Sequence, residues 1–443
     1  MTHSETDSQL LTDGGTDGDH DSAGTADRAA VTSLTERLVS IPSHEDETAA
    51  GDAVADWLRA ETDAAVERDD HGNVIARRDP ADADTALALV GHHDVVPPAP
   101  RQTAGDGTEG AYVVDQHDGR LYGRGTADMK GAVAAAMLAF RDVQTATLRD
   151  APVELVFVSF VGEEQGGVGC RAAIEDGFAP EYAVVGEGST GYSAPGVTDV
   201  AVAHKGRRGS TLTASGTAAH ASEPEAGENA VYRASDAVDV VREIDRPTAT
   251  VLGRELRGSV EVTEIEGGEA WNVIPETCTI TVDERTVPGE RAPLDRATEI
   301  DGVSWTVDQD LPPMRCDDSA FADAVLDAAR TAHDVSEAAK TGTETADAPA
   351  TETADAPATE TVDAPATETA DTPRVEHDPQ HVVKPHATDA GWLAEAGTTC
   401  VICGAAEPGE AHTDSESVSV DVLARCVRIY RETVRRADAF VDG

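Results

Sequence analysis

The chain has 443 residues, with 84 acidic against 34 basic side chains, a formal charge of −50 and only 4% aromatic residues. That balance argues against nucleic acid and anionic membranes as partners, since phosphate surfaces demand clustered Lys and Arg. Acidic residues spread among recurring apolar runs instead fit a globular protein kept hydrated in molar salt, where charges are screened within a few ångström; the expected setting is an extreme halophile's cytoplasm.

Residues 1 to about 27 are polar and rich in Asp, Gly and Thr, and are expected to be a disordered acidic tail. No basic region leads into an apolar core, so a secretory signal is not expected, and no run reaches the length of a membrane helix. Helical periodicity begins near Ala29 and runs through Val31, Leu34 and Leu38, then resumes at Val54, Trp57 and Leu58. The apolar runs 85–91 and 153–161 read as buried strands, and the Ala-rich segment 132–140 reads as a helix. Strands and helices alternate in this way to about residue 203, which is the pattern of an α/β layer fold.

Between about 205 and 312 the character changes. Segments 210–215 and 277–282 alternate like half-buried strands, with the helix-like 229–244 between them. Residues 344–367 are three near-identical octads, Glu-Thr-Ala-Asp-Ala-Pro-Ala-Thr, with Val362 replacing Ala once. A proline in every octad and no large apolar side chain cannot build a packed core. Residues 341–374 are therefore expected to be a disordered surface loop, tolerated because closure entropy grows slowly with length. The chain ends with the strand-like run 398–404 and the helix-like run 419–440. Its six cysteines, Cys170, Cys278, Cys316, Cys400, Cys403 and Cys426, form no framework, which suits a reducing compartment. Cys400 and Cys403 have redox or zinc-knuckle spacing, but no second pair accompanies them and they lie in an apolar run. They read as buried structural thiols.

Chemistry concentrates in five short pieces: Gly91-His92-His93-Asp94, Gly125-Thr126-Ala127-Asp128-Met129-Lys130, Gly162-Glu163-Glu164, Gly186-Glu187 and Ala411-His412-Thr413-Asp414. Two imidazoles with several carboxylates are the ligand mix that suits Zn²⁺ and its neighbours. Each candidate follows or nearly follows an apolar run, and α/β folds place their chemistry at the carboxyl ends of strands. An acidic doublet such as Glu163-Glu164 is unspecific in so acidic a chain; its position behind a strand-like run is the specific part.

These pieces, in this order and with these flanking glycines, resemble the co-catalytic zinc hydrolases that include acetylornithine deacetylase, succinyl-diaminopimelate desuccinylase, aminoacylase and bacterial glutamate carboxypeptidase. The resemblance runs from about residue 30 to the C-terminus, apart from the octad insertion. It implies an α/β, zinc-peptidase-like catalytic domain with a mixed central sheet flanked by helices, built from 28–204 and 313–443. An α+β lid and dimerisation domain, 205–312, is inserted into it. It also implies two divalent metal ions, Zn²⁺ or the similar Co²⁺ or Mn²⁺, with Asp128 as the bridge between them. His92 and Glu187 would hold one ion, Glu164 and His412 the other. Asp94 would orient the His92 ring, Glu163 would act as general base on a metal-bridged water, and His93 would have no role.

In the lid, Lys205-Gly206, the segments 216–222 and 227–230, Trp271-Asn272-Val273-Ile274-Pro275 and Asp283-Glu284-Arg285 continue the resemblance. It assigns His220 to oxyanion stabilisation in the partner's active site, hence a homodimer. Asn272 and Arg285 become substrate contacts, with Arg285 taking a substrate carboxylate; its alternative is a surface ion pair with Asp283 or Glu284. Ala387 stands where the family carries glycine before Thr388-Asp389, so no substrate role is assigned to that turn. The expected activity is hydrolysis of the amide bond of an N-acyl amino acid. The alternatives are a carboxypeptidase or dipeptidase of the same fold, and a non-catalytic binding relative; the presence of every expected ligand and the base favours an enzyme.

Overall fold

A computed structural model describes residues 17–79, 83–104, 111–150, 153–343 and 378–441 of the chain. The octads at 344–367 and the first 16 residues of the expected tail lie outside these. A nine-stranded mixed sheet organises the catalytic domain. Its order is Ala65–Arg68, Val74–Arg78, Glu154–Phe160, Ala86–His92, Tyr182–Val185, Thr399–Ile402, Val200–His204 and Met314–Arg315, with His381–Lys384 also paired to Val200–His204. The four central strands, from Glu154–Phe160 to Thr399–Ile402, run parallel, and antiparallel strands close both sides.

Strand alternation divides the core. Leu87, Leu89, Leu155, Phe157 and Val184 face one layer, where the helix Gly131–Asp142 buries all of its first ten residues between the sheet and the helices Asp17–Val39 and Val420–Arg435. Ala88, Val90, Val156, Val158 and Val185 face the other layer, against Cys170, Phe178 and Leu393. Successive strand residues point to opposite faces, so continuous apolar runs are what a sheet covered on both sides requires. All six cysteines are unpaired and buried. Among the described residues no helix is long and apolar enough to cross a membrane.

After Val200–His204 the chain leaves for the lid. This is an antiparallel sheet in the order Ser259–Gly267, Thr277–Thr286, Gly206–Ser215, Val303–Leu311, with the helix Ala230–Arg242 packed on it. Asn229 caps that helix by accepting the N–H of Val231 at 2.9 Å. Leu212, Ala234, Val241, Ile280 and Val282 form its separate core.

The structure departs from the sequence expectation in two places. The segment 1–27 was expected to be a disordered tail, yet the first helix spans Asp17–Val39. Tertiary ion pairs hold it: Asp27 meets Arg431 at 2.6 Å and Arg28 meets Asp421, both on the C-terminal helix. Within the expected lid range, the hairpin Thr248–Val251 and Arg254–Arg257 buries Val251 and Leu256 in the catalytic core rather than in the lid.

Candidate metal centre

The parallel strands deliver three of the five pieces to one edge of the sheet, and two loops bring the others to it. His92 is the last residue of its strand, Glu163 and Glu164 follow Phe160 through the Gly162 turn, and Glu187 follows Val185. Asp128 arrives from the loop that opens the buried helix Gly131–Asp142, and His412 from the loop before Ser417–Ser419.

The side chains form two sets. Ligand atoms of His92, Glu163 and Glu187 lie within 4.8 Å of one another, and so do those of Asp128, Glu164 and His412. Asp128 faces both: its Oδ1 lies 3.1 Å from His92 Nε2 and its Oδ2 lies 3.0 Å from His412 Nε2. Glu187 Oε1 is 3.5 Å from His92 Nε2, and Glu164 Oε1 is 2.8 Å from His412 Nε2. Behind His92, Nδ1 donates toward the Asp94 carbonyl at 3.1 Å, with Asp94 Oδ1 at 3.3 Å, so Nε2 is the nitrogen turned to the carboxylates. Asp94 Oδ2 also accepts the Glu164 N–H at 3.0 Å.

The electrostatics follow from crowding four carboxylates with few cations. Burial works against a charge on His92, yet Asp128, Asp94 and Glu187 hold its pKa well above the ordinary imidazole value. Asp128 and Glu164 push His412 up to about 10. Burial also opposes ionisation of Asp128, but His412 and His92 keep its carboxyl well below the usual range. Burial raises Glu163 well above an ordinary glutamate, and raises Glu164 against the pull of His412. A pair of divalent cations fits this arrangement: each set offers one imidazole nitrogen and two carboxylates, and the positive charge would offset the repulsion among the acids.

The structure also places the remaining sequence candidates. His93, read as a bystander, is fully buried on the other side, with Nδ1 at 2.9 Å from Ser159 Oγ and its pKa lowered by burial to about 3. His220 is exposed on the lid, its Nδ1 2.7 Å from Ser222 Oγ, and is not among the gathered groups of its own chain. The Asn272 carbonyl accepts the Ala221 N–H at 2.9 Å, tying that segment to the His220 strand. Arg285 makes the ion pair weighed as its alternative, Nε to Asp283 Oδ1 at 2.8 Å.

Sequence reasoning passed over several residues here. Lys384, buried at the end of its strand, places Nζ 3.5 Å from Glu187 Oε2. Burial, then Lys384 and Arg285, hold the nearby His386 below its usual pKa, so a cationic group borders the acids. Asp389, which received no role, is buried beside the site, and burial pushes it up to about 8. Glu416 is wholly buried behind Asp128 and paired with Arg124. Spacing offered no signal for Lys384, which reaches the site because His381–Lys384 pairs in parallel with Val200–His204, or for Asp389, which opens the helix that follows.

The sequence profile described as Peptidase family M20/M25/M40 matches residues 88–436. An acetylornithine deacetylase from Myxococcus xanthus is 28% identical over 357 residues, 79% of each chain. Among solved structures, aminopeptidase PepT from Bacillus cereus superposes with a TM-score of 0.64 at 18% identity, covering 93% of this chain and 98% of its own. The YXEP protein of Bacillus subtilis, described as a dinuclear metal binding peptidase, gives a TM-score of 0.60 at 14% identity, covering 94% and 100%. At those identities the structural likeness is one of fold.

Proposed function

The chain belongs to peptidase family M20/M25/M40, and from that premise we propose a two-metal amidohydrolase that releases the amine from an N-acyl amino acid, of the acetylornithine deacetylase or succinyl-diaminopimelate desuccinylase kind. One observation carries this reading: the single carboxylate of Asp128 presents one oxygen to each of two imidazoles, with Glu163 and Glu187 beside His92 and Glu164 beside His412. The acetylornithine deacetylase of Myxococcus xanthus supports the acyl amino acid class.

The residues divide the work as follows. His92 and Glu187 would hold one ion and Glu164 and His412 the other, with Asp128 shared between them; Zn²⁺ suits the set, and Co²⁺ or Mn²⁺ accept the same donors. Ions bound there would supply a water nucleophile at neutral pH and polarise the scissile carbonyl. Glu163 is the general base. Its burial raises its proton affinity toward that of a group that takes a proton from water and returns it to the leaving amine. Asp94 fixes the His92 ring. Arg285, held in place by Asp283 and acting electrostatically on His386 together with Lys384, receives the substrate carboxylate. Asn272 is a further substrate contact. His220 donates to the oxyanion of the partner's substrate, so the active unit is a homodimer joined through the lids.

The test is an amine-release screen over N-acetyl and N-succinyl amino acids and dipeptides, in molar KCl with added Zn²⁺, Co²⁺ or Mn²⁺. Turnover of N-acyl amino acids is expected. Turnover of dipeptides alone would make the chain a peptidase of the same fold, and no turnover by protein carrying two ions would end the enzymatic reading.

A further inference from the structure

Behind Asp128 lies a buried carboxylate to which no role has yet been given. Glu416 has no exposed side-chain surface, and its partner Arg124 has almost none. Glu416 Oε1 accepts three backbone N–H groups, from Gly125 at 2.9 Å, Ala127 at 3.0 Å and Asp128 at 3.2 Å. Its Oε2 accepts from the Arg124 guanidinium. The Glu416 carbonyl accepts the N–H of Gly123 at 3.1 Å, so both ends of the residue grip the same loop. The loop reaches this shape through Gly125, at φ +89°, where a Cβ would also meet Val95 Cγ1 at 2.8 Å. A loop built on glycine has little stiffness of its own, so the convergent hydrogen bonds are what hold it.

The same residue ends the loop that carries His412. The Glu416 N–H donates to Thr413 O at 3.3 Å, Gln102 Nε2 donates to the same carbonyl at 3.2 Å, and Thr413 Oγ1 donates to Glu410 O at 2.9 Å. His412 itself sits at φ +61°, a left-handed conformation that a non-glycine residue keeps only when its surroundings impose it. One residue thus joins the two segments, its side chain holding the backbone under Asp128 and its N–H the loop under His412. Asp128 and His412 are two members of one metal set.

We propose that Glu416 is a positioning residue for the Asp128–Glu164–His412 set, and that it governs the affinity of that metal position more strongly than that of the His92–Glu187 position, which it reaches only through the shared Asp128. Residues behind metal ligands typically change affinity by about 10–100-fold when altered. A glutamine at 416 must turn its NH₂ toward either the three N–H donors or the Arg124 donors, so donors face donors in both orientations. Removing Arg124 as well frees the amide to offer its oxygen to the three N–H groups.

The inference rests on the two-metal reading, and its test uses metal binding rather than turnover. Metal-free full-length protein in molar KCl is titrated with Zn²⁺ by calorimetry and with Co²⁺ by visible absorption. Glu416→Gln should weaken one of the two equivalents about 10–100-fold, change the cobalt band of that equivalent, and weaken the other, which shares only Asp128, clearly less. Arg124→Met/Glu416→Gln should recover most of the loss. Both equivalents bound as in the wild type by Glu416→Gln, or both weakened together in the folded double variant, would overturn the proposal. If the single variant does not fold, the double variant alone decides: two wild-type-like equivalents support it, and two equally weakened ones sink it. Wild-type protein that binds fewer than two ions would instead remove the two-metal reading.

Discussion

Glu164 Oε1 lies 2.8 Å from His412 Nε2, although 248 residues separate them along the chain. Asp128, at 3.0 Å, and Glu164 together push that imidazole up to about 10, so metal-free protein carries a proton on His412 at neutral pH. A histidine must be neutral to ligate, so metal loading has to expel the proton. Calorimetric loading at pH 7.5, in buffers of different ionisation enthalpy, should show His412→Asn releasing about one proton fewer per chain than the wild type. Equal release would remove His412 from the ligand set.

Glu163 and Glu164 are neighbours in sequence but belong to different sets. Glu163→Gln should keep metal content near that of the wild type and lower turnover by at least about a hundredfold, the scale of a lost general base. Glu164→Gln should lose metal. Metal analysis after dialysis separates the two, and the opposite pattern would exchange the roles within the doublet.

The sheet was legible because two-sided burial leaves continuous apolar runs, and the runs ending at Gly91, Val161 and Val185 point their next polar residues at one edge. What packing alone creates was not legible. Asp17–Asp27 has the composition of a solvated tail, and the ion pair of Asp27 with Arg431 adds a tertiary tie that composition cannot show. Glu416 is one acid among 84, and its four-residue spacing from His412 says nothing of the loop it grips. The hairpin of Val251 and Leu256 reads as lid by position, yet it packs on the catalytic core because its two apolar residues find that surface.

His204 gives the fold a calculable acid sensitivity. It is fully buried, its Nδ1 donates to Lys205 O at 3.0 Å, and burial lowers its pKa from the usual 6.5 to about 3. Between those values the unfolded chain binds a proton that the folded chain refuses. Stability therefore falls as the pH drops from about 6.5 toward 3 and is fully present above 6.5. Each such proton contributes up to about 1.4 kcal/mol per pH unit to the slope. Denaturant unfolding of metal-free His204→Asn in molar KCl, between pH 6.5 and 4, should show a slope shallower by up to about that amount. An unchanged slope would mean that His204 is protonated in the folded state as readily as in water.

The lid carries the remaining prediction. Among the described residues, all the exposed large apolar side chains except Val168 belong to it: Tyr232, Ile265, Trp271, Val273 and Val307, with Trp271 98% exposed. Apolar exposure concentrated on one domain marks an interaction surface. Trp271 and Val273 flank Asn272, which is tied to the strand of His220, so a partner seated on Trp271 and Val273 would lie beside the imidazole. If a second copy covers it, His220 serves the partner's site. His220→Ala should then lower turnover by about 10²–10³, the scale of one oxyanion donor, with metal content unchanged. Inactive His220→Ala and Glu163→Gln chains, mixed under conditions that exchange subunits, should regain activity, because one site in each heterodimer combines an intact base with an intact donor. Verified exchange without recovery would confine His220 to its own chain or to no catalytic part, and a fully active monomer in light scattering would remove the dimer from the mechanism.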